Sequence, residues 1–147
     1  MSGEKGTNNS IAWLELIFQQ QVLASLNTLI ANAGSPLTTL YVSLHTADPT
    51  ASGNQSSNEA AYTGYARVGV ARTTSGWSIS NETISNVGAI NFPLCTGGSE
   101  TETYVGVGTA SSGSGVLLWA GPLSASLAVS NGITPSFAAG ALTITEG

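Results

Sequence analysis

Charge is what this sequence has least of. Charged residues make up 7% of its 147 residues, against about 25% in a typical soluble domain. Three of them are basic, Lys5, Arg67 and Arg72, beside eight acids. Three scattered cations form no basic patch, so the electrostatic footprint of a nucleic-acid-binding protein is missing. A single cysteine, Cys95, excludes an internal disulfide framework; following Phe92-Pro93-Leu94, it reads as a buried thiol. Segment 11–30 has the length of a membrane span, but Glu15, Gln19-Gln20-Gln21 and Asn27 would be costly in lipid. No membrane partner and no clean signal peptide is therefore expected.

Catalytic chemistry is equally thin. The chain has one histidine, His45, and one aspartate, Asp48, which could meet across a turn near abundant serines, but no G-x-S-x-G elbow accompanies them. His45 reads better as the end of a strand beside the Asp48-Pro49 turn. Glu100 and Glu102 would share one face of a strand. Their threonine neighbours complete no calcium loop, and a solvated hairpin tip is the expectation. His45, Cys95 and the acids show no zinc spacing. Gly106-Val107-Gly108 lacks the following helix and lysine of a phosphate cradle, so its glycines are expected to let another backbone approach within the sheet. Asn8-Asn9-Ser10, Asn54-Gln55-Ser56 and Asn81-Glu82-Thr83 fit the glycosylation triplet by chance in a chain this rich in Ser, Thr and Asn. The expectation is no enzyme, no cofactor and no metal.

What replaces charge is Ser, Thr, Asn and Gly, the residues of strands and turns. Apolar residues still reach 41%, enough for one domain with its own core. A helix is predicted from a cap at Asn9 or Ser10 to Gly34-Ser35-Pro36. At 100° per residue Ile11, Phe18 and Leu29 fall on one side, Leu16, Leu23 and Ile30 on another, Trp13 and Ile17 on a third. A helix apolar nearly all round needs cover on more than one side. We expect a partner chain to supply it, through Trp13, Leu14, Ile17, Phe18 and Leu29; the alternative is a central helix wrapped by its own domain.

After Pro36 the pattern alternates as strands require. Leu40, Val42 and Leu44 share a face opposite Tyr41, Ser43 and His45, and similar runs hold Val68 and Val70, Ile90 and Phe92, Val105 and Val107, Leu123 to Val129, then Leu142 and Ile144. Val116-Leu117-Leu118-Trp119 is continuous, as in a strand buried on both faces. Turn signals separate the runs, Asn131-Gly132 the strongest, as a two-residue hairpin turn. Segment 47–63 is a polar loop of unusual length, expected to be mobile or used for contact. The fold class is thus mainly β, a β-sandwich or jelly roll over 37–147 preceded by an N-terminal arm and α-helix over 1–36. The scattered Trp and Tyr residues suit interfaces, and a carbohydrate platform would use the same types.

Three segments carry a resemblance: Leu40-Tyr41-Val42-Ser43-Leu44-His45-Thr46-Ala47-Asp48-Pro49, Tyr62-Thr63-Gly64-Tyr65-Ala66-Arg67-Val68, and 130–144 from Ser130-Asn131-Gly132 to Leu142-Thr143-Ile144. Together they resemble small tailed-bacteriophage virion proteins, of the capsid cement (decoration) or tail-fibre-like minor structural kind. The resemblance implies a virion location and no catalytic or metal-binding residues. Short length, no coiled-coil shaft and no internal repeat favour cement over fibre. The expected partners are then the major capsid protein and further copies of the chain, as a dimer or trimer, on the capsid surface of particles assembled in the host cytoplasm.

Overall fold

The structure, a computed structural model, describes residues 7–20 and 37–145. Among them are one helix, α1 (Thr7–Gln19), and nine strands: β1 (Thr39–His45), β2 (Val68–Ala71), β3 (Trp77–Ser80), β4 (Thr83–Asn86), β5 (Ile90–Asn91), β6 (Ser99–Gly108), β7 (Leu117–Ser130), β8 (Ser136–Phe137) and β9 (Thr143–Thr145). The architecture is mainly β with an N-terminal helix, as the alternation implies. Two compact units form, each from separated stretches of sequence: Met1–Thr38, Ala71–Ala89 and Ala138–Gly147 in the first, Thr39–Val70 and Ile90–Phe137 in the second.

In the first unit, α1 already runs through Asn9 and Ser10, the residues expected to cap it. It ends at Gln19, and Gln20 turns left-handed with φ 57°. The rest of the expected helix, Leu29 included, lies outside the described residues. A helix end leaves its last four carbonyls without partners. Arg72 supplies donors, its Nε to the Ile17 carbonyl and its Nη2 to that of Leu16, while Nη1 reaches the Leu37 carbonyl at 2.8 Å. A guanidinium there also complements the negative end of the helix dipole.

β3, β4 and β9 form an antiparallel sheet that places Ile79, Ile84 and Ile144 in register. Asn81-Glu82, read above as a chance triplet, is the tight turn between Ser80 and Thr83, with Asn81 at φ 54°. Phe18 meets Trp77 edge-to-face at 4.7 Å between centroids, and Leu14, Phe18, Trp77 and Ile84 are fully buried. Asn86, also buried, secures the C-terminal segment: its Nδ2 donates to the carbonyls of Gly88 and Ala138, and its Oδ1 accepts the Leu142 amide.

The second unit is built on a four-stranded sheet ordered β2-β1-β6-β7, beside a β5-β8 ribbon. β1 is its central strand and is buried on both faces, Leu40, Val42 and Leu44 on one and Ser43 and His45 on the other. Of the run expected to be doubly buried, 116–119, Val116 precedes β7 and is 62% exposed, and the other three residues open β7 at the sheet's edge, half-buried. Apolar continuity misled here because the second face of β1 is covered through hydrogen bonds rather than hydrocarbon. β7 also departs from a regular strand. Between the pairs Glu102↔Leu127 and Tyr104↔Pro122, Thr103 of β6 faces four residues of β7, Leu123, Ser124, Ala125 and Ser126. Such a bulge breaks up an edge that would otherwise invite another strand. At Asn131-Gly132 the turn is present, closed by the Ile133 amide on the Ser130 carbonyl at 3.0 Å. Of its two central residues Gly132 has positive φ, at 92°, and Asn131 does not, the pattern of a type II turn. The chain then leaves for β8, which pairs with β5. The turn redirects the chain instead of closing a hairpin.

Truncating Phe18 removes most of the contact between α1 and Trp77. Phe18→Ala should cost about 3–5 kcal/mol, as buried aromatic truncations do. Urea unfolding checks this, and a cost below about 1 kcal/mol would mean the helix is not seated on Trp77.

Candidate functional site

Leu14 and Phe18 are core residues of the first unit, while Trp13 and Ile17 stay half-buried on the helix surface. Four of the five side chains expected to meet a partner are thus described. Two of them are occupied by their own chain.

The densest group of functional side chains lies on the polar face of β1. His45 Nδ1 is 2.8 Å from the Ser57 carbonyl, and Nε2 is 2.8 Å from Ser43 Oγ. A carbonyl can only accept, so Nδ1 carries the proton and Nε2 accepts from the Ser43 hydroxyl. Burial lowers the His45 pKa, countered in part by the Ser57 carbonyl and Glu59 and reinforced by Arg67. The ring is therefore neutral near pH 7. Serine and neutral histidine in this relation form a nucleophile–base pair on geometry alone. Yet both are fully buried, and a Cβ on Gly106 would lie 2.7 Å from His45 Nε2 and 2.8 Å from Ser43 Oγ. No room is left for a substrate atom. Asp48 takes no part: its Oδ1 accepts the Thr50 amide at 2.7 Å.

Segment 47–63 covers this face. Gln55, fully buried, donates from Nε2 to the Tyr41 carbonyl and accepts the Ala110 amide at Oε1. A Cβ on Gly108 would fall 2.2 Å from Gln55 Cδ. The glycines of β6 thus admit the side chains of Gln55 and His45, and Gly108 also admits the expected close backbone, the Val116 carbonyl oxygen lying 2.5 Å from where its Cβ would be. Glu59 sits across from His45 in an isolated antiparallel bridge. Its carboxylate takes a two-pronged bond from Arg67, Nε to Oε1 at 2.6 Å and Nη2 to Oε2 at 2.7 Å. Arg67 also donates to the carbonyls of Ala110 and Gly113. Tyr65 completes the cluster, its hydroxyl donating to Glu59 and accepting the Leu44 amide; burial drives its pKa far up. The sequence held one signal for this cluster, the polar alternation Tyr41, Ser43, His45, but none for the loop residues that meet it.

Glu100 and Glu102 are not a solvated hairpin tip. Glu100 Oε1 accepts the amides of Ala61 and Tyr62 at 2.9 and 2.8 Å, which pins the end of the long loop. Glu102 is fully buried, and neither of its oxygens has a hydrogen-bond partner among the described residues. Burial first, and the Glu100 carboxyl second, push its pKa up to about 8. A protonated, neutral carboxyl is what such a site holds near pH 7. The described residues contain no group of three or more metal-ligating side chains that could hold an ion. Cys95 is fully buried, its thiol donating to the Gly97 carbonyl at 3.3 Å.

Removing one member of a buried ion pair strands the other. Arg67→Met should cost about 3–5 kcal/mol, and Arg67→Met with Glu59→Leu less than the two single changes added together, read from a double-mutant cycle of denaturation midpoints. Glu102 and His45 give opposite pH signs. Glu102, raised from 4.5 to about 8, contributes stability present below pH 4.5 and lost as pH rises through 8. His45, lowered from 6.5, contributes stability present above 6.5 and lost as pH falls. Glu102→Gln should therefore remove a decline of at most about 1.4 kcal/mol per pH unit between pH 4.5 and 8. Unfolding curves across that range check it; identical slopes in parent and variant would mean Glu102 is ionised in the fold.

The charged groups at the heart of these clusters are turned inward, with Arg67 and Arg72 both satisfied within the chain. Among the described residues the exposed surface is mainly hydroxyls, amides and single apolar side chains such as Val116, Leu94 and Ile133, with Asp48 an exposed acid. No match was found among curated proteins. A protein-family comparison matches residues 19–145 to the family described as podophage GP4 fiber I protein gp80. Covering most of the chain, including every strand, this match places the protein in that family of bacteriophage virion structural proteins, to which it belongs.

Proposed function

We propose that the chain is a tail-fibre component of a podophage particle, held there by packing against other protein subunits and performing no catalytic step. The family match supports fibre over capsid cement.

The observation that carries the packing mechanism is the fate of the cations. Arg67, with a side chain 1% exposed, and Arg72 spend their donors inside the fold. Attachment then rests on apolar and small polar contact, at roughly 25 cal/mol per Å² of apolar area less the ordering cost. Closed symmetry, a dimer or trimer, is the economical way for such a surface to pair with itself. Buried Ser43 and His45 and the neutral Glu102 are structural in this reading. A cofactor has no part in it.

Gel densitometry of purified particles should give a few copies per particle, whereas hundreds would mean cement. Washing in molar salt should leave the protein attached, because exposed salt bridges contribute about 0–1 kcal/mol each. Val116→Asp, at the exposed residue just before β7, should lower incorporation while leaving the denaturation midpoint unchanged. Release of the parent by salt would overturn the packing mechanism.

A further inference from the structure

In the second unit, a cleft of ≈ 360 Å³ separates the start of the long loop from the start of β7. One wall is Asp48, Thr50, Ala51 and Gly53; the other is Leu117, Leu118, Trp119 and Ala120. We propose that this cleft is a binding site for a neutral saccharide, one or two sugar rings of a surface glycan.

Size comes first. The cleft lies at the low end of small-ligand sites, roughly 300–1,000 Å³. That suits a short saccharide rather than a globular partner. Chemistry narrows the class further. One wall is apolar with a half-buried indole, and the other offers a carboxylate, a hydroxyl and loop backbone. A pyranose has the same division, with C–H groups on one face and hydroxyl donors around its rim. An ionised aspartate only accepts hydrogen bonds, so it selects hydroxyl donors and repels anionic ligands. No basic side chain lines the cleft to receive a phosphate, sulfate or carboxylate.

The polar wall is rigidly built. Thr50 holds φ 63°, a conformation that β-branched residues rarely adopt. It is held there by the Asp48 carboxylate on its amide at 2.7 Å and by the Gly53 amide on its carbonyl at 3.1 Å. Asn58 Nδ2 fixes the Asp48 carbonyl at 2.8 Å. Strain of this kind persists where the surroundings over-determine it, and it concentrates at ligand sites. None of these contacts contributes to the Glu59–Arg67 cluster.

The fibre assignment supplies a source for the sugar, the host cell surface, but binding itself does not depend on that assignment. The test uses the purified full chain, titrated by calorimetry and tryptophan fluorescence with gluco-, manno-, galacto- and rhamno-trisaccharides, and with trigalacturonate as the charged control. At least one neutral trisaccharide should bind at roughly millimolar or tighter and trigalacturonate should not. Asp48→Asn and Trp119→Phe should each weaken binding about tenfold or more. Thr50→Gly guards against misfolding: glycine accepts positive φ freely, so stability should hold or rise while binding falls with the lost hydroxyl. Absence of binding by all four neutral probes overturns the proposal, as does undiminished binding in all three variants. If copy number places the protein on the capsid and a neutral sugar still binds, the fibre reading falls and this one stands.

Discussion

Arg67 enters the second unit with almost none of its side chain left in water, and a guanidinium so placed must find its partners within reach. It finds the Glu59 carboxylate and two carbonyls of the turn before β7. Three stretches of chain are thereby tied at one point: the far arm of the long loop, the segment entering β2, and 110–113. Once Glu59 is held, the arm beside it lies along β1, with Thr46 donating to the Asn58 carbonyl and Ala60 to that of Leu44. Gln55 is then drawn over the glycines of β6. Tyr65 shares the same carboxylate and fastens Leu44 from the other side of the network. Each later contact presupposes the one before it, and the first is a pairing of charges removed from solvent. Such a pair is weak evidence for net stability, since its desolvation cost is large. Its contribution is to specify one path for the loop among many.

This arrangement explains why the loop was the least legible part of the sequence. A run of Ser, Asn, Gly and Ala carries no hydrophobic period, and its cover over β1 rests on hydrogen bonds, Gln55 donating to the Tyr41 carbonyl and the Ser57 carbonyl accepting from His45. The strands were legible where one face meets hydrocarbon, as in Leu40-Val42-Leu44 and Val105-Val107. Periodicity reports apolar burial and nothing else, so it read 116–119 as buried on both faces and did not show that the polar face of β1 is buried too. The β3-β4 hairpin was missed for a related reason. Trp77, Ile79 and Ile84 alternate with Ser and Thr as a strand pair should, and Asn81 stands where a tight turn wants a residue tolerant of positive φ. A Ser- and Asn-rich context hid both signals. Glu102 was misread because a carboxyl two residues from another reads as solvated unless burial is known.

Chemistry at the candidate sites follows the same division. Ser43 and His45 could be named from sequence as neighbours on one face, but their fate depends on Gly106 and Leu117, which seal them from the other strands. Cys95 was read correctly because its apolar neighbours predict burial directly. The carboxyl at Glu102 is tolerated because it is neutral when protonated, whereas the carboxylate at Glu59 is tolerated because it is paired. Two acids are thus buried by two different devices, and a third, Glu100, is satisfied by backbone amides. With both described arginines and these three acids internally engaged, the charges left at the surface among the described residues are Glu15, Asp48 and Glu82. Weak surface charge reduces repulsion between closely placed subunits, and it leaves recognition to shape and hydrogen bonding.

The order of segments adds a constraint of its own. The first unit needs α1, the β3-β4 hairpin and the C-terminal strand, and β9 pairs with β4 at Ile84↔Ile144, sixty residues apart in the chain. Between them lies most of the second unit. Closing so long a loop costs entropy that grows only slowly with length, and the cost falls further if the intervening chain has already condensed. The second unit's own pairs span as much of the chain, with Tyr41↔Gly108 and His45↔Tyr104 lying 67 and 59 residues apart. Each unit therefore closes over chain that belongs in part to the other, 90–137 within the β4–β9 span and 71–89 within the β1–β6 span. In the first unit the long closure is held by Asn86, which bonds Ala138 and Leu142, and by β9 on the β3-β4 hairpin that carries Trp77 against Phe18.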